Sequence, residues 1–125
     1  MHTVEEIKAL AHRFEQISLY GAFADGDGGG APHMLAIAVA YTYDGVLHTQ
    51  YLASSDEGRE VGALDAVIAE LLERPPAGTR WLSFGASTYD EGRLLNVGLA
   101  AQKEMFGARP TILMTLELDL QGKVR

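Results

Sequence analysis

A chain of 125 residues with a net charge of -7 and no cysteine is restricted to a few classes of protein. It is long enough for one domain, residues 1–125, that buries roughly two-thirds of the surface its unfolded chain exposes. No apolar run approaches the ~20 residues that span a bilayer, the negative charge opposes duplex nucleic acid, and the lack of cysteine excludes disulfides and thiolate nucleophiles. We therefore expect a cytoplasmic protein without membrane or duplex nucleic-acid partners.

The N-terminal third is predicted to be a helix followed by a strand. Thr3 and Glu6 form a capping-box pattern, and apolar residues follow at helical spacing, which predicts a helix over residues 4–16. Residues 17–24 are typical of a strand. The glycine-rich run 25–32 lacks the Lys-Ser/Thr of a phosphate-binding loop and precedes a strand instead of a helix. We interpret it as a flexible connection.

The middle of the chain predicts a β-hairpin and a crossover helix. Apolar residues alternate over residues 34–43, and the turn dipeptide Asp44-Gly45 leads into a second strand over residues 46–54. A polar break at residues 55–58 opens a helix that Pro75-Pro76 stops. The short strand that follows, residues 81–84, can pair parallel to strand 46–54, as in a right-handed βαβ unit.

The C-terminal third is predicted to contain a polar loop, a helix and a last strand. Gly85 breaks the chain after strand 81–84, and an amphipathic helix is predicted to begin at Asp90-Glu91 and to end at Gly107. Residues 111–120 alternate like a strand. The order α-β-β-β-α-β-α-β predicts an α+β (mixed α/β) fold, with a predominantly antiparallel sheet and flanking helices.

Short motifs in this third resemble the FemABX-like members of the GNAT acyltransferase superfamily. The ending Lys103-Glu104-Met105-Phe106-Gly107 is similar to that family's Lys-x-x-Phe/Trp-Gly, and Ser83-Phe84-Gly85 stands where the family has Asp-Phe-Gly. The runs 48–54, 57–58 and 62–65 resemble the preceding strand and helix in bacterial proteins of this kind. The resemblance covers about residues 2–120. It implies a GNAT-like core truncated at both ends, like the C-terminal one of the two FemABX domains.

The resemblance implies acyl-CoA as a co-substrate and no tightly bound cofactor. In GNAT enzymes, amides at the start of the central helix bind the CoA pyrophosphate within a Gln/Arg-x-x-Gly-x-Gly/Ala motif. Arg59, Gly62 and Ala63 match this motif and are the expected cofactor-binding residues. Leu64 replaces the motif's last small residue, and two acidic residues stand just upstream. Both departures oppose a pyrophosphate.

The expected catalytic residues are Lys103, Tyr51 and His48. Lys103 occupies the place of the FemABX lysine that holds anionic groups or the developing oxyanion. A lysine near a helix C-terminus also offsets the helix dipole, which is the alternative interpretation. Tyr51 or His48 could assist proton transfer, and the alternative for both is an ordinary position on an exposed or half-packed strand face.

Three further residues are expected to bind substrate. Ser87, Thr88 and Asn96 match positions that line the family's cleft, and the alternative for them is ordinary capping and turn chemistry. The four histidines show no ligand spacing, so no metal site is expected.

Two functions fit these residues. The first is an N-acyltransferase that transfers an acetyl, acyl or aminoacyl group to an amine of a small molecule or peptide by direct attack. The second is a non-catalytic binding or assembly domain, or one half of a split two-domain FemABX-like enzyme. Since unprotected sheet edges invite pairing, a homodimer or a partner chain is expected, with association through residues 111–120.

Overall fold

A computed structural model of the chain describes residues 2–118 and residue 120. Its helices are α1 (Val4–Arg13), α2 (Asp56–Glu60), α3 (Ala63–Glu73) and α4 (Val97–Met105). Its strands are β1 (Ile17–Ala24), β2 (His33–Tyr43), β3 (Val46–Ser54), β4 (Trp81–Ser83), β5 (Thr88–Tyr89) and β6 (Leu94–Leu95). A short 3-10 turn, Asp27–Gly29, lies in the glycine-rich connection.

Four strands form a mixed sheet in the order β1-β2-β3-β4. The β1–β2 and β2–β3 pairs are antiparallel, and β3 and β4 are parallel. The crossover through α2 and α3 makes this parallel pair possible. After β3 the chain must return to the end of the sheet where β3 began, so that β4 can run in the same direction. The predicted α+β class, the hairpin and the parallel crossover are confirmed.

The hydrophobic core lies between α3 and one face of the sheet. Its buried members are Leu35, Ala36, Ala38 and Ala40 from β2, Leu47 from β3, and Ala63, Val67 and Leu71 from α3. Three alanines two residues apart on β2 give that face a small-residue surface on which the helix packs. Leu47, Ile68 and Leu71 are the largest fully buried side chains. Each contributes about 1.5–3 kcal/mol through burial.

The turn from β3 into α2 is held against β2. Ser55 caps α2, since its Oγ accepts a hydrogen bond from the Gly58 amide at 2.9 Å and donates one to the Leu35 carbonyl at 3.2 Å. A Cβ atom on Gly58 would lie 2.1 Å from the Leu35 oxygen, so a side chain does not fit there. This contact fixes the end of β3 relative to the sheet.

The first two predicted helices end or divide earlier than expected. The capping box at Thr3 and Glu6 is confirmed, but α1 stops at Arg13 because Phe14 adopts an extended backbone conformation. The helix expected after residues 55–58 is divided into α2 and α3 by Gly62, which has a left-handed φ of 68°. Glycine adopts this conformation without the steric cost that a Cβ atom brings.

The prediction that a helix begins at Asp90-Glu91 is wrong. Both residues have positive φ values, 50° and 54°, and lie in the turn of the β5–β6 hairpin. Helix α4 begins instead after Asn96, whose side chain accepts a hydrogen bond from the Leu99 amide at 3.0 Å. Asn96 therefore supplies the N-cap that the acidic pair was expected to mark.

The predicted strand over residues 111–120 is not found in the described part of the chain. Residues 111–118 have no regular secondary structure, and residue 119 lies outside the described residues. The large apolar side chains of this segment are between 75% and 90% exposed, namely Ile112, Leu113, Met114, Leu116 and Leu118. Alternation predicts a strand only where a neighbouring strand receives its hydrogen bonds, and no strand among the described residues pairs with this segment.

Candidate functional site

The candidate site lies where β3 and β4 separate. Three residue pairs join the two strands, and the last is His48 with Ser83. Strand β4 ends there, whereas β3 continues to Ser54. The Thr49 hydroxyl donates a hydrogen bond to the Ser83 carbonyl at 3.2 Å and closes the base of the split. Within the described residues, no strand pairs with the β4-facing edge of β3 beyond this point.

A β-bulge decides which side chains share a face of β3. Val39 pairs with Tyr51 and Ala40 pairs with Thr49, so Gln50 is an extra residue. His48 pairs with Tyr41, which lies on the same face of β2 as Val39. His48 and Tyr51 therefore lie on one face of the sheet, opposite the face that α3 covers. Without the bulge their odd spacing would place them on opposite faces.

The half-buried His48 and Ser83 form a compact cluster with the exposed Gly85 at the base of the split. His48 Nδ1 lies 3.0 Å from Ser83 Oγ, and the Gly85 amide donates a hydrogen bond to the same oxygen at 3.3 Å. Gly85 has a φ of 69°, and a Cβ atom there would approach His48 Cε1 to 3.1 Å. Glycine is thus favoured both by the backbone conformation and by the neighbouring imidazole.

Lys103 fastens α4 to the loop that follows β4. Its Nζ donates hydrogen bonds to the Gly85 carbonyl at 3.2 Å and to the Ala86 carbonyl at 2.7 Å. Burial lowers the pKa of Lys103 below its ordinary value of 10.5. Beside it, the rings of Phe84 and Phe106 stack with centroids 5.9 Å apart. The predicted residue is therefore next to the His48 cluster, with two of its three N–H groups bonded to main-chain carbonyls.

Tyr51 faces the beginning of the chain. Its hydroxyl oxygen lies 2.6 Å from His2 Nδ1, and the two rings meet edge to face with centroids 6.2 Å apart. Tyr51 is thus held by the residue that precedes the α1 capping box, on the same face of the sheet as His48.

The predicted substrate-binding residues lie on the loop and helix start beyond Gly85. The Asn96 amide donates a hydrogen bond to the Ser87 carbonyl at 2.8 Å, while Thr88 pairs with Leu95 in the β5–β6 hairpin. These contacts are the capping and turn interactions that the alternative interpretation predicts. Substrate binding by the three residues stays a prediction.

The predicted cofactor-binding residues lie at the other end of β3, away from His48. Arg59 donates a hydrogen bond to the Ser54 carbonyl at 2.9 Å and forms an ion pair with Asp56. Gly62 is the N-cap of α3 and provides no side-chain acceptor for its first amides. Ala63 is only 4% exposed and packs in the core. The structure therefore separates the predicted residues into two groups, at the base and at the open end of the split.

Sequence reasoning missed Ser83 and Gly85 as site residues. Ser83 ends the strand predicted to pair parallel with β3, and the ends of parallel strands at a sheet edge are a common location for binding residues. The predicted parallel pairing was therefore the feature of the sequence that could have indicated Ser83. Open clefts lie elsewhere on the described surface, including one of about 340 Å³ between β1 and α3.

The described residues lack both a metal-binding cluster and a membrane-spanning helix. Within residues 2–118 no group of three His, Asp or Glu side chains is arranged to hold a metal ion. No helix in the same part of the chain has the length and apolar character needed to cross a membrane.

The fold is similar to that of a crystal structure from Xanthomonas campestris pv. campestris, of a protein assigned to the GNAT family of acetyltransferases. The TM-score is 0.54 and the sequence identity is 23%, over 88% of this chain and 71% of that chain. The fold is therefore GNAT-like, as the sequence motifs imply. No protein-family model matches the sequence, and neither does any curated protein.

Proposed function

We propose that this chain is a cytoplasmic N-acyltransferase that transfers an acyl group from a thioester to an amine by direct attack. The observation that carries this proposal is the early end of the β3–β4 ladder at His48 and Ser83, within a GNAT-like fold. Separated parallel strands leave the β4-facing main-chain groups of β3 free to pair with an extended ligand. In this proposal the thioester arm lies along that edge of β3, beside the His48 cluster.

Acyl-CoA is the proposed donor, with its pyrophosphate at the start of α3. Gly62 leaves the first-turn amides of this helix without a side-chain acceptor, and helix N-termini favour anions. The exposed guanidinium of Arg59 adds a positive charge nearby, although Asp56 partly neutralises it. The acceptor is a small-molecule or peptide amine, and no tightly bound cofactor is proposed.

The two motifs that resemble FemABX proteins contact each other. Lys103 bonds to the carbonyl of Gly85, and Phe106 stacks on Phe84. This contact supports the proposal of a FemABX-like subtype, in which Lys103 shapes the loop and places positive charge beside the reacting acyl group. His48 is the proposed proton acceptor. Tyr51 is proposed to keep the side chains on the same face of the sheet in a fixed arrangement.

An assembly role is the second candidate, and the exposed segment 112–118 favours it. Its apolar side chains form a surface that association would bury, while β4 lies at an edge of the sheet. We propose that two copies of the chain associate through this segment. Association through this segment would also be expected of a non-catalytic assembly domain or of one half of a split enzyme.

Ligand-dependent unfolding tests the acyltransferase proposal. Acetyl-CoA at a thousand times its Kd should raise the stability of the folded chain by about 4 kcal/mol, measured as a shift in Tm. Arg59→Ala should reduce this shift, whereas the matched control Arg93→Ala, in the hairpin turn, should retain it. The proposal is wrong if acetyl-CoA, longer acyl-CoAs and free CoA all leave the Tm of the wild-type chain unchanged.

A further inference from the structure

We infer that Ser83 and His48 act as one proton-accepting pair, in which the Ser83 hydroxyl contacts the acceptor amine and His48 Nδ1 receives the proton. This inference rests on the proposed function and deepens it. It gives a role to Ser83, which the motif Ser83-Phe84-Gly85 leaves without one, and it names the accepting atom.

The hydrogen-bond partners of Ser83 Oγ are the first support for the pair. The Gly85 amide can only donate, so it occupies a lone pair of Ser83 Oγ at 3.3 Å. The hydroxyl has one hydrogen, and within the described residues His48 Nδ1, at 3.0 Å, is the side-chain atom placed to accept it. In the inferred pair Ser83 donates to Nδ1, and the neutral imidazole carries its own proton on Nε2.

This arrangement restricts how His48 can act as a base. In the neutral ring of this pair, Nε2 already carries a proton and cannot accept another. The Nδ1 lone pair is already directed at the Ser83 hydroxyl. A proton from an amine in the cleft can then reach His48 only through Ser83, which gives up its hydrogen to Nδ1 as it takes the new one.

The position of the pair fits this role. His48 and Ser83 are the last residues paired between β3 and β4, so the hydroxyl lies where the strands begin to diverge. A Cβ atom on Gly85 would approach His48 Cε1 to 3.1 Å, so the loop packs closely against the imidazole. Lys103 in turn holds that loop through the Gly85 carbonyl.

The proposed step balances in atoms and charge. The amine nitrogen forms a bond to the thioester carbonyl carbon as its proton moves to Ser83 Oγ. The Ser83 proton moves to His48 Nδ1, giving an imidazolium, and the carbon–sulfur bond breaks to release a thiolate. The imidazolium proton returns through Ser83 to the thiolate, so the products are an amide and a thiol, and the pair is restored.

Nitrogen NMR of the histidine rings tests the hydrogen-bond arrangement without requiring activity. At about pH 9, where imidazoles are ordinarily neutral, two-bond proton–nitrogen spectra of the wild-type chain should show His48 with Nε2 protonated and Nδ1 unprotonated. The His48→Asn variant identifies its signals among the four histidines. Ser83→Ala should move the Nδ1 resonance toward that of a nitrogen free of hydrogen bonds. A proton on Nδ1 in the wild-type chain would overturn the inference.

Kinetics with acetyl-CoA and a panel of primary amines tests the proton transfer. Ser83→Ala should lower kcat by about 10²–10⁴ while KM for acetyl-CoA stays unchanged, and Ser83→Thr, which keeps the hydroxyl, should restore most of the rate. An unchanged kcat in a folded Ser83→Ala chain would overturn the inference and leave the acyltransferase proposal standing. If the wild-type chain releases no thiol with any amine, the acyltransferase proposal fails, and the proton-transfer role fails with it.

Discussion

The segment from β1 to α3 and the segment after β4 differ in what holds them. Every buried apolar side chain of the described residues lies between Leu35 and Leu71, on β2, β3 and α3. After β4 no described residue is buried, and the Lys103 hydrogen bonds, the Phe84–Phe106 stack and the Asn96 cap join residues of this segment to each other. The first segment contains the packed core, whereas the second is held by a few contacts within itself and by the Gly85 hydrogen bond to Ser83.

Removing a core side chain should produce the largest effect. Leu47 is fully buried on β3, so Leu47→Ala should lower the free energy of unfolding by about 2–5 kcal/mol. Leu94, on β6, is 48% exposed, and Leu94→Ala should cost less than about 1 kcal/mol. Urea denaturation of both variants measures the comparison, and equal losses would show that the second segment is packed as firmly as the first.

Two glycines provide a smaller contrast. A Cβ atom on Gly58 would collide with the Leu35 carbonyl, and Gly58→Ala should cost about 1–3 kcal/mol. On α4, a Cβ atom at Gly98 would have Asn96 Oδ1 as its nearest neighbour, at 3.7 Å. Gly98→Ala should therefore stabilise the chain by up to about 1 kcal/mol through helix propensity. A gain in stability for Gly58→Ala would contradict the described turn into α2.

The contrast between the packed core and the segment after β4 also explains which elements the sequence predicts correctly. The bounds of β1 and β3 agree with the prediction, because in each case local pattern, turn chemistry and burial favour the same structure. Asp90 and Glu91 are typical of a helix start, yet they occupy a turn, since Asn96 offers the better cap. Pattern alone therefore misplaced an element where no core fixes it.

The sequence predicts only part of the candidate site, because the rest depends on tertiary pairing. A motif predicts Lys103 and imidazole chemistry predicts His48, and the structure places both beside Gly85. The role of Ser83 depends on the parallel register with His48, and the shared face of His48 and Tyr51 depends on a bulge. Register and bulges are set by tertiary pairing and are not visible in composition or spacing.

Association in solution tests whether the exposed segment has a partner. The wild-type chain should form a dimer in sedimentation equilibrium, and Leu116→Glu should weaken it at least tenfold, equivalent to about 1.4 kcal/mol, because a charge would enter the apolar contact. Met105→Glu, at a position that is 86% exposed on α4, is the matched control. A wild-type chain that is monomeric at all concentrations would contradict the proposed dimer.

The smallest predicted effect is a pH dependence from Lys103. Its pKa is lowered by burial in the folded chain, so between that value and 10.5 the unfolded chain binds more protons. Lys103 should therefore add stability as the pH rises through this window and contribute a constant amount below it. The difference in unfolding free energy between wild type and Lys103→Met should move in favour of wild type as the pH approaches 10.5. Lys8→Met on α1 controls for the loss of a charge, and the opposite trend would mean that the carbonyl contacts raise the pKa.

The most direct test of the central claim is to locate acetyl-CoA on the chain by amide NMR. If the thioester arm lies between the separated strands, titration should shift the amides of residues 49–54, of Gly62 at the start of α3, and of Gly85. The Asp44-Gly45 turn, at the other end of the hairpin, should stay unchanged. Shifts confined to the cleft between β1 and α3, or no shifts at millimolar ligand, would contradict the claim that the β3–β4 split is an acyl-CoA site.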